Sequence, residues 1–239
     1  AFGRKRIISG LPSDLKNKKI GDWDVSNVTN MEELFKDRKD FNEDISKWDV
    51  SKVTNMGYMF LNAAAFNQPI GQWNVSNVTN MNAMFINAHV FNQPLEQWNV
   101  GNVKYMGYMF NRAAAFNQPL ANWEKDNSTL GNVTHMDGMF SGATAFNQPI
   151  GQWNVSKVKT MDGMFYRAAA FNQDIGQWDV SQVTNMESMF EGAAAFNQNI
   201  GQWNVSQVTK MYQMFYLASS FNQDIGQWNV SQVTKMYQM

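Results

Sequence analysis

The sequence has no cysteine and only two histidines, His89 and His135. The absence of cysteine excludes disulfides, thiol nucleophiles and cysteine-ligated metals. No apolar run approaches the roughly 20 residues that a membrane-spanning helix needs. Lysine and arginine together number 19 against 20 aspartates and glutamates, so no positive excess favours nucleic acid or an anionic lipid surface. We therefore expect no cofactor, no metal, no nucleic-acid partner and no membrane span in this segment.

Motifs that carry catalysis are also missing. The sequence contains no catalytic paired-glutamate pattern, no H-E-x-x-H, no G-x-S-x-G and no P-loop. The two histidines stand at different positions relative to the surrounding repeats, and neither has a matching serine or aspartate arrangement. We therefore expect a protein that is not an enzyme.

What the sequence does contain is 17 methionines, 17 phenylalanines and 9 tryptophans, all of which except Phe2 recur at a fixed period. Successive tryptophans from Trp23 to Trp228 are 25 residues apart, except for one interval of 30. A period of about 20 to 50 residues is typical of a solenoid, in which each repeat packs against its neighbours. The period predicts one continuous stack of about nine coils with the Trp, Met and Phe columns in its core.

Each copy changes its apolar spacing once. Trp73 and Val75 alternate with polar residues, which predicts a short half-buried strand. Four apolar residues then follow at the i, i+3, i+4 and i+7 spacing of one helix face: Met81, Met84, Phe85 and Ala88. Thr79 is a candidate N-cap of that helix. The predicted fold is an α/β repeat protein, a right-handed solenoid whose coils each contain a short parallel strand and a short helix.

The same pairing of threonine with a glutamate three residues later occurs twice, at Thr29 with Glu32 and at Thr184 with Glu187. This spacing predicts a capping box at the start of the helix.

An asparagine follows the last phenylalanine of every complete copy. An amide side chain can both donate and accept hydrogen bonds, so it can satisfy backbone groups at each turn of a coil. We therefore predict a structural asparagine ladder made of Asn42, Asn67, Asn92, Asn117, Asn147, Asn172, Asn197 and Asn222.

The polar positions beside each tryptophan are the candidate ligand-binding residues. Amides offer donors and acceptors without charge, which suits sugars or peptide backbones. The candidates are Gln72, Asn74, Gln97, Asn99, Gln152, Asn154, Gln177, Asp179, Gln202 and Asn204. The alternative is that they form only a solvated polar face. If the protein binds a ligand, we expect the contacts on this face and not on the Met–Phe side.

Three aspartates, Asp44, Asp174 and Asp224, raise the question of calcium. Most copies have proline or asparagine at that position, whereas calcium loops have dense acidic ligands. We therefore predict no metal site.

The repeat array has an atypical beginning and one interruption. More than half of the charged residues lie in the first 52 positions, so residues 1–45 are predicted to be an N-terminal cap and an atypical first repeat, with Leu11, Leu15 and Ile20 as apolar anchors. Residues 46–239 are the repeat array, which we expect to be truncated or to continue at the C-terminus. An insertion near 124–129 is either a tolerated surface bulge or a contact loop.

The repeat also resembles known families. The spacing Ile45-x-x-Trp48-x-Val50 is similar to that of leucine-rich repeats, and the whole 25-residue unit over about residues 20–239 resembles the repeats of BspA-like surface proteins, including those of mycoplasma surface lipoproteins. The resemblance implies a leucine-rich-repeat-like solenoid that is extracellular or at the cell surface, although no signal or anchor is visible in this chain.

Two functions are compatible with these observations. The first is a non-catalytic recognition or adhesion module that binds a protein or glycan on a host or neighbouring cell through an extended repeat face. The alternative is a structural spacer, or a self-associating subunit of an extracellular filament or surface layer.

Overall fold

The computed structural model describes residues 18–125 and 129–239, and these residues form one stack of coils. The coils are 20–44, 45–69, 70–94, 95–119, 120–149, 150–174, 175–199, 200–224 and, incomplete, 225–239, and we number them 1 to 9 in this order. Parallel β-bridges connect each coil to the next through Asn30, Asn55, Asn80, Tyr105, His135, Thr160, Asn185, Lys210 and Lys235. The predicted repeat solenoid is confirmed, while its hand stays a prediction.

The predicted helix and strand are both wrong. Within residues 18–125 and 129–239 there is no α-helix and no strand longer than an isolated bridge, and the two helical segments are short 3₁₀ turns at Ile20–Asp22 and Ala121–Glu124. The segment around Trp73 is bounded by two turns, in which the Trp73 amide donates to the Ile70 carbonyl and the Val78 amide to the Val75 carbonyl. The bridges run instead through the residue before each first methionine.

The Met–Phe segment is a run of turns, which we call the turn ribbon: residues 80–88 in coil 3 and the equivalent residues elsewhere. Its amides alternate in direction. In coil 3, three of them donate within the coil to the carbonyl three residues earlier. The amides between them donate to coil 4, as in Ala83 to Gly107 (2.8 Å) and Phe85 to Met109 (2.8 Å). Every second amide therefore joins two coils, whereas in an α-helix it would bond four residues back along its own segment.

Left-handed backbone conformations make this alternation possible. In each complete coil two ribbon residues have positive φ, for example Ala83 (φ 56°) and Asn87 (φ 57°) in coil 3. Coil 6 has Gly163 (φ 56°) at the position of Ala83. A residue with a side chain is strained by about 1–2 kcal/mol in this region, so the ribbon stores strain wherever the residue is not glycine.

The phenylalanines form two stacked columns through the core. Within a coil the two rings are in contact, as in Phe85 with Phe91 (centroids 4.1 Å apart). Between coils each ring stacks on its equivalent, as in Phe85 on Phe110 (5.6 Å) and Phe91 on Phe116 (6.0 Å). From coil 2 to coil 8 the methionines at the i and i+3 positions are also fully buried. The predicted core is therefore confirmed, although a turn ribbon and not a helix presents it.

The tryptophans pack in the same core and also connect coils by a hydrogen bond. The indole N–H of Trp98 donates to the Ile70 carbonyl of the preceding coil (3.1 Å), and Trp178 donates in the same way to Ile150 (3.1 Å). Because a buried indole N–H needs an acceptor, this bond fixes the ring against the coil before it.

The asparagine ladder is confirmed. The side-chain oxygen of Asn147 accepts from the Asn172 amide (2.9 Å) and from the Gln173 side-chain amide (2.9 Å) of the next coil. The equivalent amide bond connects each successive pair of ladder asparagines from Asn42 to Asn222. The ladder therefore secures the corner of the coil that follows the second phenylalanine.

The capping boxes are wrong because there is no helix to cap. The Thr184 hydroxyl donates instead to the Lys159 carbonyl of the preceding coil (3.2 Å). The Glu187 amide is capped by the side-chain oxygen of Asn185 (3.0 Å). Of the predicted N-terminal anchors, Ile20 packs partly buried on the core, whereas Leu11 and Leu15 lie outside the described residues.

Candidate functional site

The sequence-predicted binding residues lie in two columns along one side of the stack. The glutamine column contains Gln72, Gln97, Gln152, Gln177 and Gln202, all exposed. The asparagine column contains Asn74, Asn99, Asn154, Asp179 and Asn204, which are exposed except for the half-buried Asn99. In coil 5 the same two positions belong to Asn122 and Glu124. The structure thus brings the candidates into two rows in coils 3, 4, 6, 7 and 8.

The two columns differ in their remaining hydrogen-bonding capacity. The side-chain oxygen of Asn154 accepts from the Ser156 amide (3.2 Å) and hydroxyl (2.7 Å), and every other member of the asparagine column caps the residue two positions later in the same way. The glutamines make no hydrogen bond to any other described residue. The side chains of the asparagine column therefore mainly stabilise turns, whereas the glutamine amides stay free of hydrogen bonds to the described residues.

The aspartates considered for calcium have a similar structural task. Asp174 and Asp224 each accept from the amide of the glycine two residues later, Gly176 (2.9 Å) and Gly226 (2.8 Å). Asp44 caps Ser46, and the Ser46 hydroxyl and amide hold the pKa of Asp44 below its usual value. Within 18–125 and 129–239, no cluster of three or more acidic or histidine side chains is suitable for a metal ion.

Glu124 closes the insertion in coil 5. Its carboxylate accepts from the Leu130 amide (2.6 Å) and the Thr129 hydroxyl (3.1 Å), and also from the Asn154 amide of the next coil (3.1 Å). Thr129 in turn caps the Gly131 amide (3.1 Å), as the asparagine does in a regular coil. The β-bridge from Tyr105 to His135 is kept across the insertion, so the extra residues do not shift the register of the stack.

The Nδ1 atom of each histidine lies beside a neighbouring polar group. Nδ1 of His89 lies 3.0 Å from the Arg112 carbonyl, and Nδ1 of His135 lies 2.8 Å from the Thr134 hydroxyl. Neither contact joins a nucleophile to a general base in a pocket.

The outer face of the turn ribbon holds the functional candidates that the sequence reasoning missed. Tyr105 and Tyr108 are 46% and 41% exposed in coil 4. In each of the next three coils, the residue that follows the first methionine is acidic: Asp137, Asp162 and Glu187. The signal was present in the sequence, since all seven tyrosines fall in Met–Phe segments, but ligand contacts were expected beside the tryptophans and not on the Met–Phe side.

Electrostatics set this face apart from the glutamine column. Burial raises the pKa of Asp162 to about 6, with further contributions from Glu187 and Asp137 and a partial offset from Lys210. Burial, with Asp137 and Asp162, also raises the pKa of Tyr108. The ribbon face around coils 5 to 7 therefore carries a cluster of carboxylates whose mutual repulsion Lys210 offsets only in part.

Among the residues that the structure describes, no helix has the length and apolar character needed to cross a membrane.

Solved structures to which this chain is similar include two leucine-rich proteins. The chain is similar to a leucine-rich repeat protein from Bacteroides ovatus, with 12% identity, 88% of this chain and 67% of that chain covered, and a TM-score of 0.42. It is also similar to a leucine-rich cell surface protein from Faecalibacterium prausnitzii, with 12% identity, 83% and 76% coverage, and a TM-score of 0.32. No relative was found among curated proteins.

A family described as mycoplasma proteins of unknown function, DUF285, matches residues 8–123, 124–194 and 174–239. These matches span nearly the whole repeat array, so the expected kinship with mycoplasma repeats is confirmed at this level, while the BspA-like assignment stays a prediction. The chain belongs to the DUF285 family of mycoplasma proteins.

Proposed function

We propose that this chain is a non-catalytic recognition module of the BspA-like kind, extracellular or at the cell surface, which binds a protein or glycan through an extended repeat face. The observation that carries the proposal is the glutamine column, whose amides are exposed and bonded to no other described residue. The same chemical group is repeated coil after coil.

Rigidity supports this proposal. The core columns beneath the glutamines are buried from coil 2 to coil 8, and the Trp73 ring next to Gln72 is 3% exposed. A rigid row of identical weak contacts loses little conformational entropy on binding, and a long ligand that meets several of them binds by their combined effect. Uncharged amides suit sugar hydroxyls and peptide groups.

A matched pair of variants tests the proposal. The first carries Gln152→Ala, Gln177→Ala and Gln202→Ala. The control carries three equivalent changes at exposed glutamines of the adjacent Val–Val turn: Gln182→Ala, Gln207→Ala and Gln232→Ala. On an array of glycans and extracellular matrix proteins, ligands of the wild-type chain should be lost by the first variant and kept by the control. Retention of all ligands by the first variant would refute the glutamine column as the site.

The alternative is a structural role, as a spacer or as a subunit of a filament or surface layer. It is favoured by the unbroken row of parallel bridges from Asn30 to Lys235, which continues across the insertion. Light scattering distinguishes the two: rods that lengthen with concentration, together with no ligand on the array, support the structural role, and discrete monomers that bind a ligand support the module.

A further inference from the structure

Every tyrosine of this chain lies in a Met–Phe segment. The phenylalanines from coil 1 onward and the tryptophans belong to the core columns, whereas the seven tyrosines take outward or edge positions of the turn ribbon: Tyr58, Tyr105, Tyr108, Tyr166, Tyr212, Tyr216 and Tyr237. Tyrosine presents a large ring and a hydroxyl with little conformational freedom to lose, and it is enriched where proteins bind one another. This segregation indicates a contact surface on the ribbon side.

Tyr105 and Tyr108 form the exposed part of this surface in coil 4. The Tyr105 ring lies 5.8 Å from the His135 ring of coil 5, tilted by 45°. The Tyr108 ring lies directly over Gly138, where an added Cβ would be 2.5 Å from two of its ring carbons. Because glycine stands there, the Tyr108 ring can lie along the stack toward the next coils.

Next to the Tyr108 ring begins a column of three acidic residues, Asp137, Asp162 and Glu187, which we call the acidic column. The backbone keeps its three members in register, since the Tyr108 amide donates to the Asp137 carbonyl (2.6 Å), Gly138 to Asp162 (2.7 Å) and Gly163 to Glu187 (2.8 Å). None of the three carboxylates forms an ion pair with another described residue; the Asp137 carboxylate accepts only a hydroxyl, that of Thr160. Lys210 lies close enough to act on Asp162 electrostatically.

We propose that this surface, made of Tyr105, Tyr108, Asp137, Asp162 and Glu187, docks a partner protein through an extended segment that bears lysine or arginine. Charge complementarity selects this occupant. A lysine or arginine beside the carboxylates relieves the repulsion among them. Further lysines or arginines of the same segment can contact the faces of the tyrosine rings, which attract cations. Phosphates and other anions are repelled at the same place.

This proposal rests on the proposed recognition function but adds a second binding face. The second face has carboxylates and tyrosine rings, whereas the glutamine column has uncharged amides. It names the partner class: a basic segment of a protein. The two faces share no residue, so either can fail while the other stands.

The experiment measures binding of a fluorescein-labelled peptide of alternating lysine and threonine, against a peptide of alternating glutamate and threonine, by anisotropy at about 0.15 M salt, where long-range attraction is screened. The test variant carries Asp137→Asn, Asp162→Asn and Glu187→Gln. The control removes the same charge from exposed aspartates elsewhere, with Asp24→Asn, Asp49→Asn and Asp224→Asn. We expect the lysine peptide to bind the test variant about tenfold more weakly than wild type, and the control within about twofold.

A second pair of variants tests the rings. Tyr105→Ala with Tyr108→Ala should weaken the lysine peptide about threefold or more, whereas Tyr58→Ala, a ribbon tyrosine away from the acidic column, should leave it unchanged. Cooperative thermal unfolding with a midpoint no lower than that of wild type shows that each variant is folded.

Three results overturn the proposal. They are equal weakening by the two charge variants, equal binding of the lysine and glutamate peptides, and self-association of the wild-type chain that the test variant abolishes, which would make a second copy the occupant. If the glutamine variant loses its array ligands and any of these three results is also obtained, the proposed function stands and only the tyrosine–acid face is refuted.

Discussion

Replacing Asn147 with alanine tests the asparagine ladder in the middle of the stack. The change removes the oxygen that accepts from the Asn172 amide (2.9 Å) and from the Gln173 side chain (2.9 Å) of coil 6. Gln173 keeps its bond to the Asn147 carbonyl (3.0 Å), so the main loss is the orphaned, half-buried Asn172 amide.

The magnitude follows from these contacts. An unsatisfied buried amide costs about 1–3 kcal/mol, and the weakened glutamine bond adds less, so we expect unfolding to become easier by about 2–3 kcal/mol. For a chain of this length that corresponds to a fall in the thermal midpoint of roughly 5–10 °C.

Asn147→Asp is the matched control because it keeps an oxygen at the same place. It should lose less than half as much stability as Asn147→Ala, since an ionised acceptor still bonds the Asn172 amide. Gln152→Ala, at an exposed residue without a protein hydrogen bond, should change stability by no more than about 0.5 kcal/mol. Urea unfolding followed by both circular dichroism and tryptophan fluorescence measures all three.

The reasoning is refuted if Asn147→Ala unfolds with the wild-type midpoint, or if Asn147→Asp is destabilised as much as Asn147→Ala. The first result would mean that water replaces the oxygen freely. The second would mean that the ladder depends on the asparagine NH₂ group.

Four further substitutions test the core, the ribbon and the acidic column. Trp153→Ala should destabilise by about 3–5 kcal/mol, because the ring is 3% exposed and its loss leaves a cavity between coils; a wild-type thermal midpoint would contradict this. Gly163→Ala should destabilise and Ser188→Gly should stabilise, each by about 1 kcal/mol, because both positions have positive φ (56° and 51°); the same sign for both in urea unfolding would exclude backbone strain. Asp162→Asn should be more stable than wild type at pH 7.5 and nearly equal to it at pH 4, as thermal unfolding across this range measures.

The direction of the pH effect follows from the raised pKa. In the folded state Asp162 has a pKa of about 6 against an ordinary value of 3.8, so the folded chain binds the proton more tightly than the unfolded chain. The favourable contribution of Asp162 to the free energy of unfolding is complete below about pH 4 and is lost as the pH rises through about 6. A wild-type chain that gains stability relative to Asp162→Asn between pH 4 and pH 6 would contradict the assignment.

Much of the architecture could be predicted from the sequence because it depends on repetition. A fixed interval between tryptophans determines that equivalent residues lie one above another, and the polarity of each position determines whether its column is inside or outside. Trp178, Phe190 and Met186 are buried for this reason, and the Asn172 column forms a ladder because every coil offers the same donor and acceptor.

The turn ribbon could not be predicted in this way. The spacing of Met81, Met84, Phe85 and Ala88 fits one face of a helix, and it fits a chain of turns equally well. The difference is whether the Phe85 amide bonds four residues back or, as observed, the Met109 carbonyl of the next coil (2.8 Å). Only the stack supplies that second acceptor, so only tertiary structure could decide.

The same distinction separates the candidate site residues. Gln152 and Asn154 are both polar, exposed and repeated, and the sequence by itself determined no more than that. The fold decided that the Asn154 oxygen caps the Ser156 amide while Gln152 stays free, and that Tyr108, Asp137 and Asp162 lie on one face. A sequence determines which groups recur, but hydrogen-bonding capacity and the sum of neighbouring charges depend on distances between coils, and those exist only once the coils are stacked.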